Sequence, residues 1–332
     1  MFEIKKKLLT GLTFIDLFAG IGGFHLALAS LGAKCTYANE WDPYAKQTYQ
    51  TNFSMVPDDD ITKVELDAIP NHDILCAGFP CQAFSISGKQ LGFNDKRGTL
   101  FFEVAKIIKN KHPKIVLMEN VKNLLHHNNG NTFNVIKNTM QTLGYDFYYQ
   151  VLNAKDFGIP QNRERLYMVG FAKELNIHDF KFPLPVKLKK HVVDLLEPKN
   201  KINPKYFAAY SDLQLNNKID LSTKDKVVKI GIVNRGGQGE RIYSPYGVGI
   251  TLSAYGGGRF AKTGGYYINQ QVRKLTTREC ARIMGFPDSF KMVCSDQQTY
   301  KQFGNAVVVD VLQYIAIEIA NVYLKSKAKI NY

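Results

Sequence analysis

The chain has 332 residues, of which 45% are hydrophobic and 22% are charged, and its formal net charge is +14. This composition predicts a globular protein with one large core and room for a smaller second domain. The positive charge favours a polyanionic partner, although many basic proteins have none. Neither an internal repeat nor a low-complexity segment is present, so repeat and fibrous architectures are excluded.

Membrane, secreted and metal-binding classes find no support in the sequence. No stretch approaches the ~18 apolar residues that a membrane helix needs. Met1–Lys7 is basic, but neither an apolar run nor a cleavage site follows it, so we expect a cytoplasmic protein. The five cysteines are odd in number and form no Cys-x-x-Cys pair, and the seven histidines complete no zinc spacing. Reduced thiols and the absence of a metal are therefore expected.

Short apolar runs alternate with amphipathic segments in the first part of the chain. Helical patterns follow the first two runs and extend to about Leu31 and Asn52. This alternation predicts an α/β fold with a doubly wound, mostly parallel sheet covered on both faces. The predicted strands are residues 13–18, 35–39, 73–78, 114–118 and 166–171.

The composition changes after about Phe180, where prolines interrupt a lysine-rich stretch. Residues 226–278 are rich in glycine and aromatic residues, and Glu240 is their only acidic residue. Their short β-like runs predict a smaller, β-rich second domain. Thr276-Thr277-Arg278-Glu279 has the spacing of a capping box and begins a helix that ends at Gly285.

A last helix, from about Ala306 to Tyr323, is apolar enough to pack back onto the first domain. We therefore expect a large α/β domain of residues 1–193 plus 305–332. A small domain of residues 194–276 and a hinge segment of residues 277–304 complete the predicted organisation.

A glycine-rich segment lies where the first strand meets the first helix. Phe18-Ala19-Gly20-Ile21-Gly22-Gly23 occupies the crevice in which open α/β sheets bind ligands, but its spacing departs from the dinucleotide pattern. Glu40 ends the second strand and can accept ribose hydroxyls, Trp41 offers a face for an adenine, and Asp60 can bind its amine. These features predict a nucleoside cofactor. Alternatively, the glycines form only a tight turn and Glu40 is solvated.

Phe79-Pro80-Cys81-Gln82 follows the third strand directly. A lone cysteine is commonly a small buried hydrophobe. Here Pro80 fixes the approach of the chain, and a polar loop containing Ser87 and three glycines follows. A thiol at the rim of a cleft on such a loop is placed for nucleophilic chemistry.

Glu119 ends the next strand in Glu119-Asn120-Val121, so its carboxyl group reaches the same edge of the sheet. Gln161-Asn162-Arg163-Glu164-Arg165 supplies two guanidinium groups just before another strand. Alternatively, Glu119 caps the following helix and the arginines pair with surface acids. The convergence of a thiol, a carboxyl group and a guanidinium group at one edge favours a catalytic site.

In motif content and order, the chain resembles the cytosine-5 DNA methyltransferases. The matching motifs lie at residues 18–23, 80–82, 119–121, 161–165 and 304–305, and the resemblance runs essentially end to end. It implies a Rossmann-like catalytic domain, a β-rich DNA-recognition domain and S-adenosylmethionine as cofactor. The implied cofactor-binding residues are Phe18, Gly20, Gly23, Glu40, Trp41, Asp60, Ile61, Pro80, Leu100, Asn305 and Val307.

The resemblance also assigns chemical roles. Cys81 is the nucleophile that adds to C6 of a cytosine flipped out of duplex DNA, since C5 is otherwise a poor nucleophile. Glu119 hydrogen-bonds N3 of the base, Arg163 supplies a positive field for the thiolate, and Arg165 holds O2. The implied DNA-binding residues are Ser87, Gln238, Arg241 and Tyr255, with Gln238 filling the vacated space.

Residues 230–260 resemble the recognition segment of family members that methylate the inner cytosine of GCGC. Arg235, Pro245, Tyr246 and Arg259 depart from that pattern and leave room for altered backbone contacts. We expect the enzyme to bind double-stranded DNA as a monomer, without an obligate protein partner. We expect no membrane association. The implied biological setting is the modification half of a restriction-modification system.

Three other functions remain possible at this point. An RNA cytosine methyltransferase would use the same catalytic set, but the developed second domain argues against it. A DNA-binding protein with an inactive site is disfavoured by the intact Cys81, Glu119 and Arg165. An oxidoreductase on a nucleotide-binding fold would not explain Pro80-Cys81-Gln82 or the basic domain.

Overall fold

The computed structural model describes residues 7–80, 100–208, 212–216 and 222–330. The chain divides into two compact units. The large unit contains described residues from 7–152, 164–183 and 312–330, and the small unit contains those from 153–163 and 184–311. The predicted domains were defined by their expected functions and the two units by their internal contacts. The domain boundaries at residues 193 and 305 therefore remain a prediction.

The large unit is a β-sheet with helices. Its strands are β1 Thr13–Leu17, β2 Lys34–Asn39, β3 Ile74–Ala77, β4 Ile115–Val121, β5 Tyr145–Asn153 and β6 Glu164–Ala172. Its helices are α1 Gly23–Ser30, α2 Pro43–Phe53, α3 Leu100–Lys111 and α4 Asn131–Thr142.

The small unit contains a second sheet. Its strands are β7 Phe207–Ala208, β8 Gln214–Leu215, β9 Lys229–Ile232, β10 Arg241–Tyr243, β11 Gly265–Ile268 and β12 Gln271–Lys274. Its helices are α5 Thr277–Arg282 and α6 Asp296–Asn305, and the last helix of the chain is α7 Val309–Ile330.

The first sheet has the strand order β2-β1-β3-β4-β6-β5. The first four strands in this order are parallel to one another, and β6 runs antiparallel to β4. All four residues of β3 and six of the seven in β4 are buried. Since alternate residues face opposite sides, both faces of the sheet are covered. The predicted α/β, mostly parallel sheet is confirmed; the reversed direction of β6 was not predicted.

Two helices that the sequence analysis did not predict cover one face of this sheet. Helix α3 buries Phe101, Val104 and Ile108, and α4 buries Phe133, Ile136 and Met140, at the three- and four-residue spacings of an apolar helix face. These residues join the buried strand residues in one core cluster. The predicted return of the last helix is confirmed by a hydrogen bond from Gln313 Nε2 in α7 to Ser30 Oγ in α1, at 3.0 Å.

The strand order places a ligand crevice. Successive connections run from β1 outward to β2 and then back past β1 to β3, so the direction of winding reverses between β1 and β3. Open α/β sheets bind ligands outside the carboxyl ends of strands at such a reversal. The Phe18–Gly23 segment and Phe79-Pro80 follow these two strands, so both lie at this edge.

The second sheet has the order β7-β12-β11-β10-β9-β8, with β10 and β11 parallel and the other neighbouring strands antiparallel. Its core is a small cluster of Ile230, Val233, Ile242, Phe260 and Val272. The predicted β-rich character of residues 226–278 is therefore confirmed. The strands of this sheet are short, at two to four residues each, so much of the chain in this unit lies in the connecting loops.

The predicted capping box is present. Thr276 Oγ1 accepts a hydrogen bond from Glu279 N at 3.1 Å, and the Glu279 carboxylate accepts one from Thr276 N at 2.8 Å. Glu279 also forms a bidentate pair with Arg273, with both N–O distances 2.7 Å, and both side chains are 1% exposed. A fourth hydrogen bond comes from Glu197 N at 2.8 Å. The buried Glu279 carboxylate thus joins β12, the start of α5 and the segment that contains Glu197.

One helical stretch, Asp296–Ala328, contains a window long and apolar enough to cross a membrane by composition, which the sequence analysis had not recognised. Two thirds of that window (67%) is buried inside the protein. The apolar residues of α7 therefore serve the protein core.

We predict that Glu279→Ala lowers the free energy of unfolding by about 3–5 kcal/mol, because it leaves the buried Arg273 guanidinium without its counter-charge. Asp288→Ala is the matched control, since Asp288 pairs with Arg282 at 2.7 Å but its side chain is 63% exposed. Loss of that exposed pair should cost about 1 kcal/mol or less. Urea denaturation measures both; equal effects would contradict the central role of Glu279.

Candidate active site

The turn after β1 has an unusual backbone. Phe18, Gly20 and Gly22 all have positive φ angles, 54°, 54° and 86°. A Cβ atom on Gly22 would lie 2.1 Å from Cε2 of Phe53, so packing requires this glycine. A Cβ on Gly20 would meet nothing within 4 Å. Glycine there leaves open space beside the backbone, which suits close approach by a ligand.

Glu40 fixes this turn to the end of β2. Its Oε2 accepts a hydrogen bond from Gly20 N and its Oε1 accepts one from Asp42 N, both at 2.8 Å. Each carboxylate oxygen retains further acceptor capacity, as ribose hydroxyls would need. Burial raises the pKa of Glu40, with the two backbone hydrogen bonds opposing that shift. The carboxylate is therefore held in place before any ligand binds.

Trp41 and Asp60 lie near the Glu40 carboxylate. Trp41 follows Glu40 directly, and the segment before Asp60 is joined to the end of β2 by a bridge between Asn39 and Asp58. The Trp41 side chain is 78% exposed, which leaves its ring available for stacking. Asp60 precedes the short 3-10 helix Ile61–Lys63, where its Oδ1 accepts hydrogen bonds from Thr62, while Ile61 is buried. Hydrogen bonds from Thr62 lower the pKa of Asp60. The open glycine, fixed carboxylate, exposed indole and charged aspartate fit a nucleoside cofactor.

A cluster of His25, Tyr49 and Phe53, which the sequence analysis did not predict, packs beside the turn at Gly22. The His25 ring stacks on Phe53 with centroids 3.9 Å apart, and His25 Nδ1 lies 2.7 Å from the Tyr49 hydroxyl. Burial lowers the pKa of His25 to about 4 and raises that of Asp16 well above its ordinary value. Burial therefore favours the uncharged form of each group.

The Phe79-Pro80 segment that follows β3 is held by Asn120 near the end of β4. Asn120 Nδ2 donates to the Phe79 carbonyl oxygen at 2.8 Å, and both residues are buried, while Pro80 is exposed. The predicted nucleophile Cys81 and the predicted DNA contact Ser87 lie outside the described residues. This contact of Asn120 was not predicted from the sequence, although Asn120 stands beside Glu119.

Glu119 and Arg165 meet at the same edge. Arg165 Nε lies 3.1 Å from Glu119 Oε1, and the side chains are 16% and 10% exposed. Arg165 Nη1 also donates to the Glu164 carbonyl oxygen at 2.8 Å. The antiparallel pairing of β4 with β6 sets this geometry, because it places Val121 opposite Arg165. Two of the predicted catalytic groups are therefore in contact, with part of each accessible.

Arg163 has a different environment, within the small unit. It is 2% exposed and donates to three carbonyl oxygens, of Leu252 at 3.1 Å, Gly304 at 3.0 Å and Ala306 at 2.8 Å. Gln161 is fully buried nearby, donating to the Ile283 carbonyl oxygen at 2.7 Å. These contacts give Arg163 a structural role. Its predicted field at Cys81 involves a residue outside the described range.

The remaining predicted cofactor residues occupy separate elements. Leu100 is the first residue of α3 and is partly buried, and Gly23 is the buried first residue of α1. In the small unit, Asn305 is the exposed last residue of α6 and Val307 is buried two residues later. No group of three potential metal ligands occurs among the described residues.

The small unit brings its predicted DNA-binding loops together. A Cβ on Gly239 would lie 2.7 Å from the Gly257 carbonyl oxygen, and Phe260 N donates to the Gly239 carbonyl oxygen at 3.2 Å. The loop of Gln238 thus abuts the loop of Tyr255. Gln238 and Arg241 are exposed, and Tyr255 is 70% exposed. Polar and aromatic side chains are accordingly presented on two adjoining loops.

Comparisons with known proteins identify this arrangement. A family model described as C-5 cytosine-specific DNA methylase matches residues 12–321. The chain is 60% identical over 321 residues to Type II methyltransferase M.HhaI of Haemophilus parahaemolyticus, covering 97% of this chain and 98% of that protein. It is 46% identical over 316 residues to Type II methyltransferase M.SsoII of Shigella sonnei, covering 92% and 79%.

Solved structures agree on the fold. The crystal structure of the S. pombe Dnmt2 methyltransferase has a TM-score of 0.71 and 21% identity, covering 93% of this chain and 98% of that chain. Both the sequence match and the fold extend over nearly the whole chain. The chain therefore belongs to the C-5 cytosine-specific DNA methylases, which transfer a methyl group from S-adenosylmethionine to C5 of cytosine in DNA.

Proposed function

We propose that this enzyme methylates the inner cytosine of GCGC in duplex DNA through a covalent Cys81 adduct, as the modification half of a restriction-modification system. It works in the bacterial cytoplasm, as a monomer on DNA and without an obligate protein partner. The observation that carries the mechanism is the Glu119–Arg165 contact of 3.1 Å at the carboxyl edge of the sheet. The segment that directly precedes Cys81 in the sequence is fixed at the same edge by Asn120.

Cys81 begins the reaction by adding its sulfur to C6 of the flipped cytosine. The new S–C6 bond saturates the 5,6 double bond and shifts electron density to C5, which makes C5 nucleophilic. After C5 is methylated, loss of the C5 proton and expulsion of the Cys81 thiolate restore the double bond. The cytosine must leave the base stack first, since C6 is inaccessible within the duplex.

Glu119 and Arg165 stabilise the base during this addition. A protonated Glu119, or one sharing a proton with the base, hydrogen-bonds N3 as negative charge develops on the ring. Arg165 donates to O2 while its Nε remains near Glu119. The contact between the two side chains supports this assignment because one fixed pair can address two adjacent ring positions.

Cofactor binding uses the turn after β1 and the end of β2. Bound S-adenosylmethionine supplies an electrophilic methyl group. Glu40 accepts its ribose hydroxyls, Trp41 stacks on its adenine and Asp60 binds the adenine amine. Gly20 leaves space for the ligand along the backbone, and Pro80 and Leu100 contribute apolar contacts. Asn305 and Val307 complete the proposed set.

Sequence recognition rests on the two adjoining loops of the small unit. Gln238 fills the space left by the cytosine, and Arg241 donates two hydrogen bonds to O6 and N7 of a guanine. Tyr255 and the adjoining glycines hold further donors and acceptors against the bases. Support for GCGC comes from residues 230–260 together with the 60% identity to Type II methyltransferase M.HhaI.

We predict that Glu40→Gln weakens binding of S-adenosylmethionine about tenfold or more. An amide offers one acceptor where two backbone N–H groups require two, at a cost of about 1–3 kcal/mol. Because burial raises the pKa of Glu40, wild-type affinity should fall as pH decreases, beginning above the ordinary glutamate range. The variant should lack this dependence.

Isothermal titration calorimetry at several pH values measures this effect. Glu65→Gln, at an exposed glutamate in the same unit, is the control and should bind as the wild type does. Unchanged affinity in Glu40→Gln would remove Glu40 from the cofactor site.

Cys81→Ser should abolish methyl transfer but leave binding of DNA and of S-adenosylmethionine largely intact, because other residues bind them. On duplex DNA with 5-fluorocytosine at the target, the wild type should form a denaturation-resistant adduct, since fluorine cannot leave C5 as a proton. Mass spectrometry locates the adduct. Cys294→Ser is the control and should still be trapped; appreciable turnover by Cys81→Ser would exclude Cys81 as the nucleophile.

Glu119→Gln should slow the chemical step by about 10²-fold or more, since it removes a proton donor in the addition step. DNA affinity should change much less. Glu164→Gln is a matched control in the adjacent strand, where Glu164 forms an exposed pair with Lys122 at 3.0 Å. Single-turnover methylation measures both; equal rates in the two variants would exclude Glu119 from catalysis.

Bisulfite sequencing of DNA modified in a methylation-free host should place methylation at the inner cytosine of GCGC. Arg241→Gln should then relax discrimination at one guanine, with a loss of about 1–3 kcal/mol. The same host without the gene provides the background. Methylation mainly outside GCGC would overturn the specificity and leave the enzyme class unchanged.

A further inference from the structure

The small unit contains a cavity of about 330 Å³ whose described lining is strongly basic. Arg259, Lys262 and Lys274 contribute positive charges, and Asp296 is the one acidic side chain in that lining. Asp296 is already paired, because its Oδ2 lies 2.7 Å from Lys205 Nζ and accepts a hydrogen bond from the Tyr206 hydroxyl at 2.9 Å. The cavity therefore carries a net positive charge.

Lys274 contributes to this net positive charge from a partly buried position. Its Nζ lies 5.0 Å from the ring centroid of Tyr300 and 5.6 Å from that of Tyr206. These rings remove water from the ammonium group, and burial lowers the pKa of Lys274. Asp296, the acidic side chain of the lining, acts on Lys274 electrostatically but is already paired with Lys205. An anion entering the cavity would gain from a cation that is partly desolvated and in place.

Arg259 and Lys262 flank this position. Arg259 Nη2 donates to the Phe207 carbonyl oxygen at 2.6 Å, and Lys262 Nζ donates to the Gln297 carbonyl oxygen at 3.3 Å. These carbonyl partners orient the side chains but do not neutralise them. Asp296 and Gln297 are also the first residues of α6, so the positive end of that helix adds to the field.

The cavity adjoins the surface already assigned to DNA. Gly258 and Arg259 line it, and they lie in the same loop, between β10 and β11, that exposes Tyr255. Arg259 is one of the residues that departs from the recognition pattern of related enzymes. The volume exceeds what a phosphate needs and leaves room for the adjoining deoxyribose. A polymer whose bases meet Gln238 and Tyr255 would bring its backbone past this point.

We propose that Arg259, Lys262 and Lys274 bind a backbone phosphate of duplex DNA beside the recognised bases. This inference rests on the proposed function of the small unit. The contact is independent of base sequence, so it increases affinity for all DNA and sets the register of the duplex against the reading loops.

The test is the salt dependence of binding, measured by fluorescence anisotropy with duplexes that contain or lack GCGC. Arg259→Gln should reduce the slope of log affinity against log salt by about 1, as loss of one phosphate contact does. The affinity ratio of the two duplexes should stay constant. Arg259→Lys should retain the slope, and Lys199→Gln, at an exposed lysine outside the cavity lining, should match the wild type.

Single methylphosphonate substitutions then identify the phosphate. One position should weaken the wild type but cause no further loss in Arg259→Gln. Unchanged slopes in both Arg259→Gln and Lys274→Gln would overturn the inference. It would also be overturned if inorganic phosphate bound in the cavity but left the salt slope of DNA binding unchanged. Failure of the wild type to methylate any duplex would instead overturn the proposed function.

Discussion

The parallel arrangement of β1 to β4 is the constraint on which the rest of the site depends. Strands buried on both faces leave no room for reactive side chains along their length. Chemistry is therefore confined to the carboxyl-terminal ends of the strands and the residues that follow them. Because the strands are parallel, those ends share one edge, where they deliver the Phe18–Gly22 turn, Glu40, the Phe79-Pro80 segment and Glu119.

Hydrogen bonds between neighbouring strand ends then fix these groups. Glu40 binds Gly20 N, Asn120 binds the Phe79 carbonyl oxygen, and Arg165 contacts Glu119. Each contact joins residues that are distant in sequence but on adjacent strands. The site is thus organised before substrates arrive, which reduces the entropy and reorganisation that catalysis would otherwise require.

The sequence predicted what depends on local pattern. Apolar runs alternating with amphipathic segments located the parallel strands, and Thr276 and Glu279 located a helix start. The reversed direction of β6 could not be predicted, because a strand's apolar pattern is the same in either direction. The stacking of His25 on Phe53 and the contact of Gly239 with Gly257 depend on tertiary packing, to which single-residue propensities are blind.

Arg163 and Arg165 show the same limit within one motif. They stand two residues apart, yet Arg165 contacts a carboxylate with part of its surface accessible, whereas Arg163 is buried among carbonyl oxygens from residues 252, 304 and 306. The motif indicated that guanidinium groups were required but not which contacts each makes.

Gly304 shows why those carbonyls come together. A Cβ there would lie 2.2 Å from Ala254 N, so only glycine lets the end of α6 reach the Leu252–Tyr255 segment closely. Arg163 bonds both sides of that approach, and its buried charge depends on all three carbonyls being in place. Loss of the approach would leave that charge poorly solvated. The glycine of Gly304-Asn305 therefore holds Asn305 and the start of the Tyr255 loop in one fixed arrangement.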